Sequence, residues 1–346
     1  MLRGVLLLAL VAVGYAADMA DLGAPGFTCD AEAANGAGAP KGDLLSVFIQ
    51  YRGLNFNTGG DKSLDEHVTL ANILKKFNPN LFGYSTGTGG ADVWDKAHLN
   101  AAIPGAHADD LLGQAKDLVK KFKSHPEVDY QNKWKLIHIF IGGNDMCSYC
   151  LFPDEEAPPK FRDNIKEAIQ YFKDHLPKTV VVLVGMLDLS ILRKIDKDQY
   201  LCEGIHIFEC ACEMNEDISD QYIKDACQKY MAREQELQDT GIFDTTDDFT
   251  LIIQPMFEDM SKPPLNPDGS PNLHFFAPDC FHFSQLGHAV VAKNLWNNIV
   301  APVGSKSRSA ELTAIDFPLS CPDPACPFIR TTKNSADCSK YMTPTA

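Results

Sequence analysis

The residues best suited to chemistry lie near the end of the chain, in the stretch Asp279-Cys280-Phe281-His282. An aspartate three residues before a histidine allows one short turn to place the carboxylate against the imidazole. The carboxylate then fixes the tautomer of the ring, and the second ring nitrogen accepts a proton from a nucleophile. Taken alone this spacing is a weak signal, because a loop histidine often has an incidental acid nearby. The helical pattern that follows from Leu286 strengthens it, whereas His288 inside that pattern is interpreted as a surface or packing residue.

Two earlier stretches contain groups that could stabilise a negatively charged oxygen. The run Gly142-Gly143-Asn144-Asp145 follows an apolar segment, and open α/β sheets bind ligands at the carboxyl ends of their strands. The side-chain amide of Asn144 would donate a hydrogen bond to an oxyanion, and Gly105 would offer its backbone N–H. Each stretch also has an ordinary interpretation, as a turn after a strand and as a loop glycine before a helix. Their combination with Asp279 and His282 indicates ester hydrolysis of the serine-hydrolase type.

The elements that would position these groups follow from the apolar pattern. Continuous apolar runs suit buried parallel strands, and apolar residues three and four apart suit helices that cover the sheet. Their alternation along the chain predicts an α/β fold. The four predicted strands are Leu81–Ser85, Leu136–Ile141, Thr179–Leu187 and Phe249–Ile253, and the three predicted helical faces run from Leu111 to Phe122, from Phe161 to Phe172 and from Leu286 to Ile299.

The composition limits the class of partner. Of 346 residues, 45% are apolar and 22% are charged, as expected for a globular protein with a sizeable core. The formal net charge of −15 argues against nucleic-acid binding, because phosphates would be repelled. The 11 cysteines favour an oxidising compartment, and in such a compartment disulfides are a better interpretation than a zinc site. An odd count leaves one thiol unpaired or means that a partner cysteine is missing.

The first residues have the pattern of a secretory signal. Arg3 precedes the apolar run Val5–Val13, and Gly14-Tyr15-Ala16 offers small residues for cleavage. The run is shorter than the roughly 20 residues that a membrane span needs, which disfavours an anchor. We therefore expect a secreted protein with a signal peptide over residues 1–16, an N-terminal segment over 17–43, a hydrolase domain over 44–304 and a cysteine-containing tail over 305–346.

The order of the motifs resembles that of the SGNH, or GDSL-type, lipase family. An Asn-x-Ala-x-x-Gly-Ala stretch at Asn100–Ala106, a Gly-x-Asn-Asp and a late Asp-x-x-His occur in the family's sequence order. Further segments, spread from about Asn35 to Ser335, resemble the animal phospholipase B group of that family. They are Gln50–Leu54, Gly59–Asp61, Phe77–Pro79, Gly87–Gly89, Phe140–Asp145, Phe275–Phe283, Leu295–Asn298 and Pro327–Ser335.

The resemblance implies a fold and a set of roles. The fold would be a flavodoxin-like three-layer α/β/α domain built on a parallel sheet. By motif, His282 would be the base, Asp279 its orienting acid, and Gly105 and Asn144 the oxyanion donors. The resemblance implies hydrolysis of phospholipids and other acyl esters with no metal and no other cofactor, and contact with a lipid surface is compatible with it.

The chain departs from the family at the nucleophile. The family's first strand ends Gly-Asp-Ser-Leu, and its serine attacks the ester. Here Ala33–Gly38 matches the residues that follow, but an alignment without gaps places Asp30 at the serine, and no apolar strand precedes it. We find no other nucleophile: Ser85 lies in a stretch that matches non-catalytic family sequence, and Ser284 is only two residues beyond His282. We expect the sheet to lack its first strand.

Three interpretations of this departure stay open. The chain is a phospholipase B-type hydrolase whose first block has been lost by splicing or in the gene model, which we favour. Alternatively it is a catalytically dead, secreted protein that binds lipids or esters, with Asp30 holding His282 protonated. A third interpretation is an unstable product, since a missing central strand exposes strand edges. The segment from Cys202 to Cys227 is a candidate lid on length alone.

Overall fold

The computed structural model describes residues 49–342, apart from 198 and 261. The predicted signal peptide, the segment over residues 17–43 and Asp30 lie outside the described residues.

A parallel sheet forms the centre of the described structure. Its strands are β1 (Lys135–Phe140), β2 (Thr179–Val184) and β3 (Phe249–Gln254), in the order β1-β2-β3. Lys135 pairs with Thr179, and Thr179 pairs with Phe249 on its other side. All of β3 and nearly all of β2 are buried, which requires cover on both faces of the sheet. Three of the four predicted strands are confirmed, and with them the α/β class.

The fourth predicted strand, Leu81–Ser85, is wrong as a strand. Only Ser85 makes a β-contact, an isolated parallel bridge to Gly59. The physical reason is the lack of a neighbour: a cavity of about 1890 Å³ lies between Leu81–Tyr84 and β1. Adjacent strands must approach within about 4.8 Å to hydrogen-bond, so a segment across such a gap cannot join the sheet. Within the described ranges, no backbone group pairs with the edge of β1 that faces the cavity.

The three predicted helical faces are confirmed as long amphipathic helices, α3, α5 and α10. Pro158 stands at the start of α5, where its missing N–H costs nothing, and the Ser284 side chain caps α10 by accepting the N–H of Gly287 at 3.2 Å. The described helices are α1 (Leu70–Phe77), α2 (Trp94–Ala97), α3 (Leu111–Ser124), α4 (Gly143–Tyr149), α5 (Pro158–His175), α6 (Leu192–Asp196), α7 (Tyr200–Glu209), α8 (Ala211–Met214), α9 (Asp220–Asp239), α10 (Gln285–Val300) and α11 (Thr332–Ala336). Short 3-10 helices are Arg52–Leu54, Ala108–Asp110, Leu189–Ile191, Leu273–Phe275 and Cys338–Tyr341.

Helices α5, α9 and α10 each contact a strand, and α3 packs on α5. The apolar residues of these helices and of the strands form one continuous core. Asn144 lies just after β1, Gly105 lies in the loop before the 3-10 helix Ala108–Asp110, and Asp279 and His282 lie in the stretch before α10.

The C-terminal tail packs on the same core. The backbone N–H of Arg330 donates to the carbonyl of Ile299 at 3.0 Å, and the indole of Trp296 donates to the carbonyl of Ser320 at 2.8 Å. A disulfide between Cys326 and Cys338 closes the tail into a loop. The boundary at residue 305 stays a prediction.

The bend at the end of β1 provides a test of the fold. Gly142 has a φ of 111°, and a Cβ there would lie 2.8 Å from the Met186 sulfur. We expect Gly142→Ala to lower the free energy of unfolding by about 2–4 kcal/mol, because it adds both backbone strain and crowding. Gly143→Ala is the matched control: no atom lies within 4 Å of a Cβ at that helical position, so stability should stay level or rise slightly. Urea unfolding of both variants checks this, and equal losses would contradict it.

Candidate active site

Asp279 and His282 are in hydrogen-bond contact, and their role as acid and base stays a prediction. Nδ1 of His282 lies 2.8 Å from Oδ2 of Asp279, whose side chain is buried, whereas 65% of the His282 side chain is exposed. The other carboxylate oxygen accepts the backbone N–H groups of Phe281 and His282, both at 3.0 Å. Three donors of the turn therefore converge on one carboxylate, and the ring keeps its second nitrogen for a reacting group.

The charges of this pair stabilise each other. Burial raises the pKa of Asp279, but the hydrogen bond from His282 and the two backbone donors hold it below its ordinary value. Crowding by protein atoms lowers the pKa of His282, but the hydrogen bond and charge of Asp279 outweigh it and raise the pKa above the ordinary value. An ionised Asp279 can only accept, so Nδ1 carries the proton and Nε2 is the basic nitrogen.

Helix α7 holds this turn in place. Cys280 adopts the left-handed conformation, with a φ of 61°, and its sulfur is bonded to Cys202 of α7. One turn further along α7, Nε2 of the buried His206 lies 2.8 Å from the carbonyl oxygen of Asp279. Because residues four apart share a helix face, a single face of α7 makes both contacts.

Glu209, on the same face of α7, is a site residue that the sequence did not reveal. Its carboxylate, Asp279 and His282 each place an oxygen or nitrogen within 4.8 Å of the others. Burial, followed by the charge of Asp279, raises the pKa of Glu209 to about 7. Its charge is also the next contributor after Asp279 to the raised pKa of His282. The helical spacing Cys202, His206, Glu209 is visible in the sequence, but nothing there says that this face meets the Asp279–His282 turn.

The two predicted oxyanion donors lie in adjoining segments. The side-chain amide of Asn144 donates to the carbonyl oxygen of Ala106 at 2.9 Å, directly beside Gly105. Gly105 has a φ of 75°, is exposed, and has no atom within 4 Å of where a Cβ would stand. A substrate oxygen can thus approach the Gly105 backbone closely, and the Asn144 amide, which donates one N–H to Ala106, has a second N–H for the oxyanion.

Asp145 positions the loop that contains Gly105. This role of Asp145 was not predicted from the sequence. Its buried carboxylate accepts the backbone N–H of Ala108 at 2.9 Å through one oxygen and 3.2 Å through the other. Burial raises the pKa of Asp145 to about 6, although the Ala108 bond opposes the rise. Asn144 therefore holds the carbonyl of Ala106, and Asp145 holds the N–H of Ala108 at the start of the 3-10 helix, so that both residues fix the loop of Gly105. The only indication in the sequence was that Asp145 falls in the first turn of a helix, where an acidic side chain is favourable.

Neither serine considered as a substitute nucleophile is available. The hydroxyl of Ser85 is buried and donates to the carbonyl of Ala97 at 3.2 Å. The hydroxyl of Ser284 is also buried and donates to the carbonyl of His274 at 2.6 Å while it caps α10. Both are structural.

The cavity beside β1 connects the site groups. His282, Asn144 and Ala106 all line it, together with apolar side chains and the free edge of β1. His288 lines it too and stacks on Phe56 with ring centroids 5.9 Å apart, so the interpretation of His288 as a packing residue fits its contacts. Burial lowers its pKa to about 3, so it is neutral at physiological pH.

Disulfides account for most of the cysteines. Cys147 is bonded to Cys210 and Cys150 to Cys212, which ties α4 to the region of α8, and Cys227 is a buried free thiol. The candidate lid over Cys202–Cys227 is thus bonded at three of its cysteines to other parts of the fold. A segment held in this way cannot swing as a lid from a hinge at either end.

Among the described residues, two groups of side chains could geometrically hold a cation: Glu209 with Asp279 and His282, and His107 with Asp145 and Glu156. In the second group, Nδ1 of His107 lies 3.1 Å from Oε1 of Glu156. Asp279 and Asp145 are both already engaged by hydrogen bonds.

The fold and these residues define a class of protein. The family profile described as GDSL-like Lipase/Acylhydrolase matches residues 36–295, so the chain belongs to this family. The match begins just after the segment in which the nucleophile was expected.

Among curated proteins the chain is similar to one membrane-associated enzyme from three mammals. It is 38% identical over 324 residues to "Phospholipase B1, membrane-associated" of Mus musculus, which covers 92% of this chain and 22% of that protein. The protein of the same name from Rattus norvegicus is 39% identical, and the match covers 92% of this chain and 22% of that protein. For the one from Homo sapiens the identity is 39%, and the match covers 88% of this chain and 21% of that protein. The chain spans about a fifth of the length of the curated relatives it matches.

The electrostatic role of Glu209 can be measured directly. We expect Glu209→Gln to lower the pKa of His282, because a carboxylate with an oxygen within 4.8 Å of the ring nitrogen is replaced by a neutral amide. The NMR titration of the His282 ring reports this pKa. Glu203→Gln, on the same helix but not among the groups that shift His282, should leave the titration unchanged. An unchanged pKa in Glu209→Gln would refute the assignment.

Asp145 should make stability depend on pH. Because its native pKa of about 6 lies above the ordinary value, the native state binds this proton more tightly, and its stabilising contribution is lost as pH rises from about 4 to 6. Asp145→Asn keeps an acceptor for Ala108 and removes the ionisation. Between pH 4 and 7 the variant should therefore gain on the order of 2 kcal/mol relative to the parent. The exposed Asp117→Asn serves as the control in chemical denaturation, and parallel pH curves for the parent and Asp145→Asn would contradict the prediction.

Proposed function

We propose that this chain represents a secreted carboxylic ester hydrolase of the phospholipase B type, acting on phospholipids and other acyl esters. The observation that carries the proposal is the Asp279–His282 pair, which faces the same cavity as Asn144 and the loop of Gly105. An acid, a base and two donors of this kind serve acyl transfer.

In the reaction, a serine oxygen attacks the ester carbonyl carbon while Nε2 of His282 takes its proton. Asp279 stabilises the imidazolium, and the N–H groups of Gly105 and Asn144 receive the oxyanion. His282 then gives the proton to the departing alcohol oxygen as the C–O bond breaks, and water repeats the sequence to release the acid. The acyl group is carried on the serine from the loss of the alcohol until water releases the acid, so every step needs this serine, whereas the base, its acid and the oxyanion donors are residues of the described structure.

The cavity supports the interpretation that a nucleophile-bearing strand is missing. Its volume of about 1890 Å³ exceeds that of ordinary small-molecule sites, and one wall is the edge of β1 that has no partner strand among residues 49–342. A parallel strand laid along that edge would end on the same side as β1, where Asn144 and His282 line the cavity. A serine at the end of such a strand would meet the base.

The alternative function is binding without catalysis. It is favoured by the buried hydroxyls of Ser85 and Ser284, which leave the base without either as a partner. In that case the cavity would hold a lipid or acyl ester without cleaving it, and Asp30 would stand close to His282 and hold it protonated.

Secretion is supported by the disulfides. Four pairs are formed among the described cysteines, which suits an oxidising compartment. No helix in the described part of the chain has the length and apolar character to cross a membrane.

The proposal predicts a pair of activities. The chain as it stands should hydrolyse a short-chain ester and phosphatidylcholine at least ~10⁵-fold more slowly than a chain with an apolar strand ending Gly-Asp-Ser-Leu inserted before Ala33. His282→Ala in the restored chain should abolish most of that gain, because the serine loses its base. Ser85→Ala in the restored chain is the control and should leave turnover unchanged.

Two outcomes would contradict the proposal. Activity of the unaltered chain that is lost in His282→Ala would reveal another nucleophile. A restored chain that folds, as judged by circular dichroism, but cleaves neither ester would favour the binding protein.

A further inference from the structure

Helix α7 (Tyr200–Glu209) turns polar side chains toward the protein and large apolar side chains toward solvent. Its inner face carries Cys202, His206 and Glu209, and these bond or lie close to the Asp279–His282 turn. Its outer face carries large apolar side chains: Tyr200 is 87% exposed, Ile207 57% and Phe208 89%. In a helix of a globular protein the apolar stripe normally faces the core.

The exposed residues form one continuous stripe. Tyr200, Gly204, Ile207 and Phe208 are all exposed and follow the spacing i, i+4, i+7 and i+8, which is one side of a helix. None of the four is charged. Exposure of this stripe to water is unfavourable, because burial of each apolar side chain would lower the free energy.

The helix cannot relieve this cost by turning over. The Cys202–Cys280 disulfide fixes its first turn, and Cys210, the residue after its end, is bonded to Cys147. Turning the stripe inward would also drive His206 and Glu209 outward and break the contact with Asp279. The stripe therefore stays on the outer side of α7 as long as these two disulfides are intact.

A second pair of exposed apolar residues is linked to the end of α7 through a disulfide. Leu151 and Phe152 are 54% and 52% exposed and directly follow Cys150. The disulfide partner of Cys150 is Cys212, four residues after Phe208. The outer face of α7 and this pair thus flank the same cluster of disulfides.

We infer that the outer face of α7, with Tyr200, Ile207 and Phe208, docks the protein on the surface of neutral, zwitterionic phospholipid. The inference rests on the proposed function for the choice of a lipid surface as the occupant. Helices with an aromatic and aliphatic face lie in the headgroup region of membranes in this way. The net charge of −15 selects neutral lipid, because anionic headgroups would repel the protein.

Docking through α7 would place the acid–base pair beside the lipid. The opposite face of the helix contacts the Asp279–His282 turn, so the turn would lie about one helix diameter, roughly 10 Å, from the surface. A lipid that leaves the surface next to α7 would reach His282 without crossing bulk water.

The test measures binding of the full chain to vesicles of phosphatidylcholine by sedimentation, without any need for turnover. We expect Ile207→Ser/Phe208→Ser to weaken partitioning at least tenfold, because two apolar side chains no longer enter the lipid. Ile49→Ser/Val93→Ser is the matched control, since these side chains are 46% and 43% exposed and belong neither to α7 nor to the lining of the cavity. The control should bind as the parent does, and replacing part of the phosphatidylcholine by phosphatidylserine should weaken binding of the parent. Circular dichroism and thermal unfolding confirm that each variant is folded.

Two results would overturn the inference. One is a parent chain that stays in solution with neutral vesicles present. The other is a parent that dimerises in the absence of lipid and loses this association in Ile207→Ser/Phe208→Ser, which would identify the stripe as a contact between two copies.

The experiment separates this inference from the proposed function. In the serine-restored chain, the double variant should cleave a soluble short-chain ester at the parental rate but hydrolyse vesicles more slowly. Vesicle binding that depends on α7, without cleavage of either ester, would retain the docking surface and reject the hydrolase.

Discussion

The burial of the Asp279 carboxylate is the constraint on which the site depends. A charged group without exposure to water must find donors within the protein, and here it finds two backbone N–H groups and the His282 ring. To supply all three, the chain must turn tightly, with Cys280 in the left-handed region. That conformation is unfavourable for a residue with a side chain, so the surrounding structure must hold it. The disulfide to Cys202 and the contact from His206 provide this hold.

The same constraint explains the unusual character of α7. A helix that must present a cystine, a histidine and a glutamate inward has only its other side for apolar residues. The site and the outer surface are therefore two consequences of one arrangement: the polar groups needed at Asp279 displace the apolar ones to the outside. The loop of Gly105 is held differently. Asp145 and Asn144 of α4 bond its backbone groups at Ala108 and Ala106, and α4 is otherwise packed in the ordinary way.

The sequence was sufficient to predict the parts of the fold that depend on local pattern. Continuous apolar runs predicted β1, β2 and β3, and the periodic faces predicted α3, α5 and α10. The run at Leu81–Ser85 failed because a strand depends on a neighbour, and apolar pattern carries no information about whether the neighbour exists. For the site, the spacing within Asp279–His282 was enough, since the contact is local. Glu209 and Asp145 could not be predicted, because their roles depend on contacts with residues 70 and 37 positions away in sequence.

The paired bridges between α4 and the region of α8 have a consequence for how the protein matures. Cys147 and Cys150 bond to Cys210 and Cys212 respectively, so the crossed pairing, Cys147 with Cys212 and Cys150 with Cys210, would join the same two segments. During oxidation, only the final registry of the helices distinguishes the two pairings. Thiol–disulfide exchange must then convert crossed species into the native one, and the rate depends on access to an attacking thiolate. Burial raises the pKa of the Cys227 thiol in the folded protein, so this group can act as an attacking thiolate only before the core closes around it.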